Sequence, residues 1–317
     1  MNSPRLTLDM DSLDVKIFLA MEAQHYIIPG GMERQLNLTA MAKQLSVDSD
    51  TVRARMKKLE SSFIEYYQVF PNFRVFGLQC IVLGLTFSDP ATKKEALQKL
   101  RSMEEVGLVD ERLRSLRVYL LIEESERDLE RKLALIEKLS GVEPMQQNWL
   151  KMPPLNIQLS LTDWRILKSI RYNARKPIDQ VAKEVGLTKR AVNYRFQRLL
   201  EGNAFFIAPI ISFRNLGEMV FTHHIFYLNE NRRAEAIDEI TRLVGERCMS
   251  RFVGSEGCAG FCVATSDIAE SEEDYLKVKA VPGVEKIISD FPLRFHDTSA
   301  CVDKLIDEKI QSLDTAA

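Results

Sequence analysis

One segment in the second half of the chain carries side chains suited to binding an anion. It runs from Lys189 to Glu201, and its apolar residues repeat at the spacing of a helix. Lysine and arginine bind phosphates and guanine edges, and asparagine binds adenine edges, when a helix lies in a DNA major groove. The pattern therefore predicts base contacts from one group, Lys189, Asn193 and Tyr194, and phosphate contacts from another, Arg190, Arg195 and Arg198.

A similar surface occurs 140 residues earlier. Leu38–Gly77 aligns without a gap with Ile178–Gly217, and an apolar helical pattern precedes each copy. Asp50 lies at the leading face of the first copy and would repel phosphate, unless it accepts a hydrogen bond from cytosine N4. The sequence therefore leaves open whether the first copy binds DNA or is structural. Its candidate DNA contacts are Thr51, Arg53, Lys57 and Lys58.

Both surfaces require a helix-turn-helix, in which a tight turn joins two short helices. In the second copy, Gly186 stands where the first helix must end in the left-handed conformation. Thr188 can then cap the next helix through its side-chain oxygen. In the first copy, the cap falls at Asp48 or Ser49.

The segments that follow each helix-turn-helix also repeat. Strand-like runs come first, Phe63–Val69 with Phe73–Phe76 and later Ala204–Ile211, where a winged helix carries its wing. Strands and helices then follow in the order β-α-β-β-α-β, with a last strand predicted at Val284–Phe295 and a final helix at Asp297–Ser312. That order is typical of a ferredoxin-like domain.

The sequence thus predicts an α+β protein with two winged helix-turn-helix domains, each followed by a ferredoxin-like α/β sandwich domain, in a tandem repeat. Pro153 and Pro154 interrupt the chain between the halves and mark a linker. The helix-turn-helix domains are predicted at residues 1–77 and 153–217. The ferredoxin-like domains are predicted at residues 78–152 and 218–317, the second of them with the C-terminal helix.

Charge is distributed unevenly, although the total is only −2. Asp163–Glu201 contains ten lysines and arginines against four acids, whereas the segment from Glu230 to the end contains eleven against eighteen. One part is therefore suited to an anionic partner and another repels it. The chain lacks the run of about 18 apolar residues that a membrane span needs, and its start does not resemble a signal peptide. We expect a cytoplasmic protein that does not enter the membrane.

Patterns typical of catalysis or metal binding are sparse. The chain has four histidines and five cysteines, and Cys258 and Cys262 have no further ligands at zinc-site spacing. The sequence contains no Ser-His-Asp order, Walker loop or dinucleotide fingerprint. We therefore expect a protein that is not an enzyme and uses no metal or cofactor.

The second half of the chain resembles the Lrp/AsnC (feast/famine) family of prokaryotic transcription regulators. The likeness covers about Leu159–Phe295. The segment LSLTDWRILKSIRYNARKPIDQVAKEVGLTKRAVNYRFQRLLEGNAFFIAPIISFRNLG resembles the N-terminal helix-turn-helix of that family. The runs FVGSEGCAGFCVAT and DYLKVKAVPGVEKIISDFPLRF resemble its ferredoxin-like sensing domain. The first half resembles the family more loosely, so the whole chain resembles a tandem form of two units.

This resemblance implies a double-stranded DNA partner, a homodimer formed through the ferredoxin-like domains and, in many members, a small effector such as an amino acid. The effector usually lies near a Gly-x-x-Asp segment between sensing domains. Here the corresponding residues are Gly254, Ser255, Glu256 and Gly257, with glycine in place of the acid. A glycine-rich bend between strands explains these residues as well as an effector site does.

Two other functions are compatible with the sequence. Siroheme decarboxylases share this two-domain plan, and His223 or His224 could ligate a tetrapyrrole iron. Adjacent residues of a strand point to opposite faces, so at most one of these histidines can reach a given site. Alternatively, both modules form a scaffold for a protein partner, in which case charge reversal at Lys189 and Arg190 leaves the function intact.

Overall fold

The computed structural model describes residues 11, 13–18, 20, 38–62, 64–123, 126–144, 146–150, 152–211, 220–253, 258–297 and 299–315. Residues 13–18 are helical. The first half then contains α1 (Leu38–Leu45), α2 (Ser49–Ser62), β1 (Ile64–Pro71), a 3-10 helix (Phe73–Phe76), β2 (Gln79–Thr86), α3 (Pro90–Arg101), β3 (Val106–Arg112), β4 (Ser115–Ile122), α4 (Glu126–Ser140) and β5 (Gln146–Trp149).

The described α-helices and strands of the second half follow the same order, with one further strand and one further helix at the end, while the 3-10 helices lie in other places. Its elements are α5 (Leu161–Ile170), α6 (Ile178–Val185), α7 (Lys189–Glu201), β6 (Phe205–Ile211), β7 (Val220–Leu228), a 3-10 helix (Glu230–Arg232), α8 (Arg233–Val244), a 3-10 helix (Gly245–Arg247), β8 (Cys248–Val253), β9 (Cys258–Thr265), α9 (Ile268–Lys279), β10 (Val284–Asp290), β11 (Pro292–Asp297) and α10 (Ser299–Thr315).

Two antiparallel sheets confirm the predicted α+β fold class. The strand order is β11-β3-β4-β2-β5 in the first sheet and β10-β7-β9-β8 in the second. Apart from β11, each sheet has its first and third strands at the centre and its second and fourth at the edges, which is the ferredoxin-like arrangement. Helices α3 and α4 cover one face of the first sheet, and α8 and α9 cover one face of the second. Each sheet encloses its own apolar core against these helices.

The last predicted strand, Val284–Phe295, is in fact two strands that belong to different sheets. β10 ends at Asp290 beside β7, whereas β11 begins at Pro292 and pairs with β3 in the first sheet. Proline has no N–H to donate, so the ladder of one strand is readily interrupted at this point. At the crossing, Leu113 N–H donates to the carbonyl oxygen of Phe291 at 2.8 Å. The C-terminal segment therefore ties the two ferredoxin-like domains together.

The two helix-turn-helix modules pair with each other through their strands. β1 and β6 form a two-stranded antiparallel sheet in which Gln68 lies opposite Ala208, its equivalent in the repeat. Residues 67–69 run antiparallel to residues 207–209, so the pairing is symmetric about that central pair. A contact in which equivalent residues meet is isologous, and a local twofold axis therefore relates the two modules.

This pairing corrects the prediction of a second wing strand in the first module. The predicted strand Phe73–Phe76 is a 3-10 helix, capped by Asn72 and ended by Gly77 at a φ of 77°. Asn72 Nδ2 donates to the carbonyl oxygens of Pro153 and Asn203 at 3.0 and 2.9 Å. The 3-10 helix is thus held against the second module by Asn72. The strand that pairs with β1 is β6 of that module.

Apolar packing fixes the orientation of α7. Val192, Phe196 and Leu199 follow one another at helical spacing, and each is at most 1% exposed. The ring of Phe196 meets Phe205 of β6 edge-on, with 5.3 Å between centroids. Burying a side chain of this kind stabilises the fold by roughly 1.5–3 kcal/mol. Because one apolar core joins both helix-turn-helix modules, α7 is held by the unit that also holds α2.

The C-terminal helix α10 packs along α5 of the second module. Ile306 is buried in the shared core, while acidic residues on the same helix pair with bases of α5. Asp307 meets Lys168 at 2.5 Å, and Asp314 meets Arg165 at 3.0 Å. These two ion pairs join the C-terminal helix to the second module, and their side chains are about half exposed.

Candidate nucleic-acid interface

Helix α7 spans Lys189–Glu201, as the periodicity predicts, and both predicted signals define its start. Gly186 ends α6 in the left-handed region, with a φ of 69°, and Thr188 Oγ1 accepts from the Ala191 N–H at 3.2 Å. This bond satisfies one of the donors that a helix leaves unpaired at its first turn. The turn between α6 and α7 is thereby set by local residues, and α7 begins in a fixed direction.

Four of the predicted contact residues share the exposed face of α7. Lys189, Arg190, Asn193 and Tyr194 lie one turn apart along the helix and are all exposed. Tyr194 is 70% exposed, an unusual position for a large aromatic ring that serves no packing role. Within the part of the chain that the structure describes, Arg190, Asn193 and Tyr194 have no intramolecular hydrogen-bond or ion-pair partner. This face therefore offers a cation, an amide and a ring to a ligand.

Among the described residues, Lys189 has one intramolecular partner. Its Nζ lies 2.5 Å from Oδ2 of Asp179 on α6, and the two side chains are 63% and 57% exposed. Exposed pairs of this kind contribute about 0–1 kcal/mol because water and salt screen them. A phosphate can compete for this lysine at little cost.

Arg195 and Arg198 lie on the side of α7 that meets α5. Both reach back to Asp163, a fully buried residue at the start of α5: Arg195 Nη1 to Oδ1 at 2.9 Å and Arg198 Nη2 to Oδ2 at 2.6 Å. Ser160 also donates to this carboxylate, in a capping box. Burial opposes ionisation of Asp163, but these hydrogen bonds and ion pairs outweigh it and hold its pKa below the usual value.

These ion pairs lock α7 against α5, so they support a positioning role for Arg195 and Arg198. The sequence predicted phosphate contacts for both, and such contacts stay a prediction. The first module repeats the arrangement. Asp14 is fully buried and pairs with Arg55 at 3.1 Å and with Lys58 at 2.7 Å. Lys58, predicted as a DNA contact, thus occupies the place that Arg198 has in the second module.

The remaining candidate contacts of the first module are held by neighbouring acids. Asp48 caps α2, accepting from Thr51 N at 2.7 Å and Thr51 Oγ1 at 2.6 Å, and these bonds lower the pKa of Asp48. Arg53 forms an ion pair with Asp50, and both side chains are largely exposed. Lys57 is exposed on the same face. Two acids and two bases therefore balance on this surface, whereas α7 begins with two adjacent cations.

A buried charged cluster lies between the two sheets, on the faces turned away from their helices. Arg112 is 1% exposed and donates through Nε and Nη2 to Oδ2 of Asp110 at 2.9 and 2.8 Å. Its Nη2 also lies 3.1 Å from Nδ1 of His223 in the other domain. Guanidinium groups only donate, so Nδ1 of His223 accepts. Burial, with Arg112 and Arg117 nearby, holds the pKa of His223 far below its ordinary value, and the ring is neutral.

His224 points to the opposite face of β7, as predicted for adjacent strand residues. Its side chain is 1% exposed, with Nδ1 2.8 Å from Oγ of Ser289. Burial lowers the pKa of His224 to about 4. Of these two histidines, only His223 therefore faces the space between the sheets.

A cavity of about 150 Å³ lies at the seam between the two domains, beside this cluster. Arg114 and Arg117 line it together with Ser115 and Asp290. Oδ2 of Asp290 accepts from Ser115 Oγ at 2.5 Å, and Oδ1 accepts from Arg114 N at 3.1 Å. Small-molecule sites usually measure roughly 300–1,000 Å³, so this cavity is small for a large ligand.

The predicted effector segment, Gly254, Ser255, Glu256 and Gly257, lies outside the described residues. Among the residues that the structure does describe, no group of three or more histidines, cysteines and acids is arranged to hold a metal ion. Over the same residues, no helix combines the length and the apolar character that crossing a bilayer requires.

Sequence reasoning missed two groups that the structure reveals. Asp163 was available from the Ser160-x-x-Asp163 capping pattern, which Asp11 and Asp14 repeat in the first module. The cluster around Arg112 was signalled by charges inside the strand-like run VDERLRSLRV. Charged residues in a buried strand require partners, and those of Arg112 are Asp110 on its own strand and His223 of the other domain.

A winged helix-turn-helix DNA-binding family model matches residues 159–203, which contain α5, α6 and α7. The model covers the second module only. No curated protein sequence matches the chain.

Several solved structures resemble the chain. The siroheme decarboxylase NirDL, crystallised with an iron-uroporphyrin III analogue, aligns over 94% of this chain and 99% of its own, with 14% identity and a TM-score of 0.54. AsnC of E. coli aligns over 42% of this chain and 91% of its own, with 16% identity and a TM-score of 0.35. A Neisseria meningitidis transcriptional regulator in complex with L-Met aligns over 43% and 91%, with 17% identity and a TM-score of 0.35. At 14% identity, the NirDL match establishes a shared fold over 94% of the chain and no activity.

Proposed function

We propose that this protein is a DNA-binding transcription regulator that reads duplex DNA with α7. One observation carries the proposal: the exposed face of α7 presents Lys189, Arg190, Asn193 and Tyr194 within the segment that matches a DNA-binding family model. A capped, rigidly packed helix with this face fits the recognition helix of a helix-turn-helix, whose first residues contact base edges in the major groove. The proposed function involves no catalysis and requires no cofactor.

Each residue of this face has a distinct role in the proposal. Arg190 contacts phosphate or guanine, for which a guanidinium supplies paired donors. Asn193 reads an adenine edge, and Tyr194 covers the thymine methyl or sugar beside it. Lys189 exchanges its pair with Asp179 for a base edge, as the sequence predicts, or for a neighbouring phosphate. Affinity should therefore fall steeply as salt rises, because bound cations of the DNA are released at each phosphate contact.

We further infer that the chain is a tandem form of two Lrp/AsnC-like units. The equal strand order of the two sheets and the isologous β1–β6 pairing support this inference. In this view, one chain supplies contacts that would otherwise join two subunits, and a small effector acts at the ferredoxin-like domains. Pairing of two chains through those domains stays a prediction.

Selection from a pool of random duplexes tests the proposal. Lys189→Glu/Arg190→Glu should lower affinity for the enriched motif by roughly 100-fold, because each contact to a base or phosphate is worth about 1–3 kcal/mol. Lys94→Glu/Lys99→Glu makes the same change in net charge at exposed positions of α3, in the first ferredoxin-like domain, and is the matched control, with an expected loss of a few-fold at most. If wild-type protein retains no duplex even at low salt, the regulator proposal is wrong. A scaffold for a protein partner would then be the better explanation.

A second candidate is a tetrapyrrole-binding protein, as in the siroheme decarboxylase that shares the fold. The observation that favours it is the buried contact between Arg112 and His223, beside a cavity that Arg114 and Arg117 line. Arginines bind the carboxylates of such a substrate, and a neutral histidine can accept a proton or ligate iron. The cavity of about 150 Å³ would have to widen for this ligand.

Titration with iron-uroporphyrin III separates this candidate from the first. Binding should shift the visible absorption of the tetrapyrrole, and His223→Ala should abolish the shift, whereas His224→Asn, on the opposite face, should leave it intact. Loss of carbon dioxide from added siroheme, followed by mass spectrometry, would establish an enzyme. An unchanged spectrum at all protein concentrations would remove the candidate.

A further inference from the structure

Helices α2 and α7 are related by the local twofold axis, but they expose different side chains. The local twofold axis passes through the Gln68–Ala208 pair, and it relates α2 to α7 in one packed unit. Such an arrangement is suited to a DNA site with two inverted half-sites, one helical turn or multiples apart. The side chains on the two helices decide whether both half-sites are read.

A position-by-position comparison shows that the first helix lacks the reading residues. The leading positions Lys189 and Arg190 correspond to Ser49 and Asp50, since the repeat aligns without gaps. Asp50 is 87% exposed, and its negative charge repels DNA phosphate. Only one of the two leading turns can therefore approach a phosphate with favourable charge.

The next positions differ in the same sense. Asn193 corresponds to Arg53, which forms an ion pair with Asp50, and Tyr194 corresponds to Ala54. An alanine reaches a base edge only through a methyl contact, and Arg53 stands beside the exposed carboxylate of Asp50, whose negative charge opposes the approach of phosphate. The first module thus keeps the helix-turn-helix fold, including the ion pairs of buried Asp14 with Arg55 and Lys58. It lacks the exposed side chains that would contact base edges.

We propose that the protein recognises an asymmetric DNA site with a single specific half-site, read by α7, while α2 lies over adjacent DNA without reading it. This inference rests on the proposed DNA-binding function. The bound species has one chain per specific half-site, and the flanking contact adds affinity that depends on salt but not on sequence. The symmetry of the operator is therefore lower than the symmetry of the protein backbone.

Selection from random duplexes with wild-type protein gives the first measurement. Each half-site of the expected motif is non-palindromic, and light scattering of the complex should give one chain for each specific half-site. A palindromic motif bound by a single chain would overturn this inference and leave the DNA-binding function standing. Failure to enrich any motif would instead overturn the proposed function itself, so the two failures are distinguishable.

A surface graft gives the second measurement. The variant Ser49→Lys/Asp50→Arg/Arg53→Asn/Ala54→Tyr copies the face of α7 onto α2. It should gain at least about tenfold in affinity for an inverted repeat of the selected half-site over a single half-site, since one good base contact is worth about 1–3 kcal/mol. Wild type should show no such preference. Equal preferences of both proteins for the inverted repeat would contradict the inference, and wild-type motif symmetry decides the question if the graft does not fold.

Discussion

Arg198 Nη2 donates to the Asp163 carboxylate at 2.6 Å, and this bond joins the reading helix α7 to the helix that begins its module. Asp163 is fully buried, whereas Arg198 keeps 40% of its side chain exposed. Because Asp163 is buried away from water, removal of either Arg195 or Arg198 would leave its negative charge only partly neutralised. The pair is therefore a structural contact that also sets the direction of α7, the helix proposed to contact DNA.

Asp163→Asn should lower both stability and DNA affinity. The substitution removes the charge that Arg195 and Arg198 share, and we expect the free energy of unfolding to fall by about 2 kcal/mol. DNA affinity should fall with it because α7 loses its fixed orientation, although Asp163 itself is buried. Urea denaturation and duplex titration of the same preparation measure the two effects.

The first module supplies the control for this prediction. Asp14→Asn breaks the equivalent contacts to Arg55 and Lys58, so it should cost similar stability but leave DNA affinity nearly unchanged. Equal losses of DNA affinity in the two variants would show that the effect is general destabilisation. A positioning role for Asp163 would then be excluded.

Ser46→Gly should stabilise the first module. Ser46 occupies the place that Gly186 has in the second copy, and its φ is 56°, in the left-handed region. An L residue with a side chain is strained there by about 1 kcal/mol, whereas glycine is not. Thermal unfolding of Ser46→Gly should therefore show a gain of about 1 kcal/mol, and Gly186→Ser a comparable loss. Destabilisation by Ser46→Gly would contradict this explanation.

Periodicity and caps predicted the helix-turn-helix from local sequence. α7 begins after Thr188 and ends at Glu201 as expected, because its cap, its turn glycine and its apolar face are all encoded within a few residues. The ferredoxin-like strand order followed from the alternation of strands and helices. Those features depend on neighbours in sequence, which one chain read alone provides.

Contacts between distant segments could not be predicted in this way. Periodicity shows that Arg195 and Arg198 leave the apolar face of α7, but the acid that receives them lies more than thirty residues earlier. Periodicity likewise identifies β1 as a strand, but it does not identify β6 as the strand that pairs with it. The split of the last strand at Phe291 has the same origin, since which sheet accepts β11 depends on packing between domains.

Asp179→Asn should strengthen DNA binding. Asp179 holds Lys189 at 2.5 Å and places a negative charge beside the proposed phosphate contact. Its removal leaves the lysine available and should raise affinity by about threefold at low salt, with a stability change within about 0.5 kcal/mol. The gain should shrink as salt rises, because exposed charges are screened. A weaker complex at low salt would indicate that Lys189 does not meet DNA.

Stability should fall as the pH is lowered from about 6.5 to about 4, in part because of His224. Burial lowers its pKa from 6.5 to about 4 in the folded state, so between these values the unfolded chain binds a proton that the folded chain does not. The stabilisation is complete above the unfolded pKa and is lost as the pH falls toward the folded one, up to about 3 kcal/mol in total. His224→Asn places an amide near the Nδ1 position that meets Ser289 and does not titrate. Thermal unfolding of both proteins from pH 7 to pH 4 should show a shallower decline for the variant, and parallel curves would mean that His224 is not the titrating group.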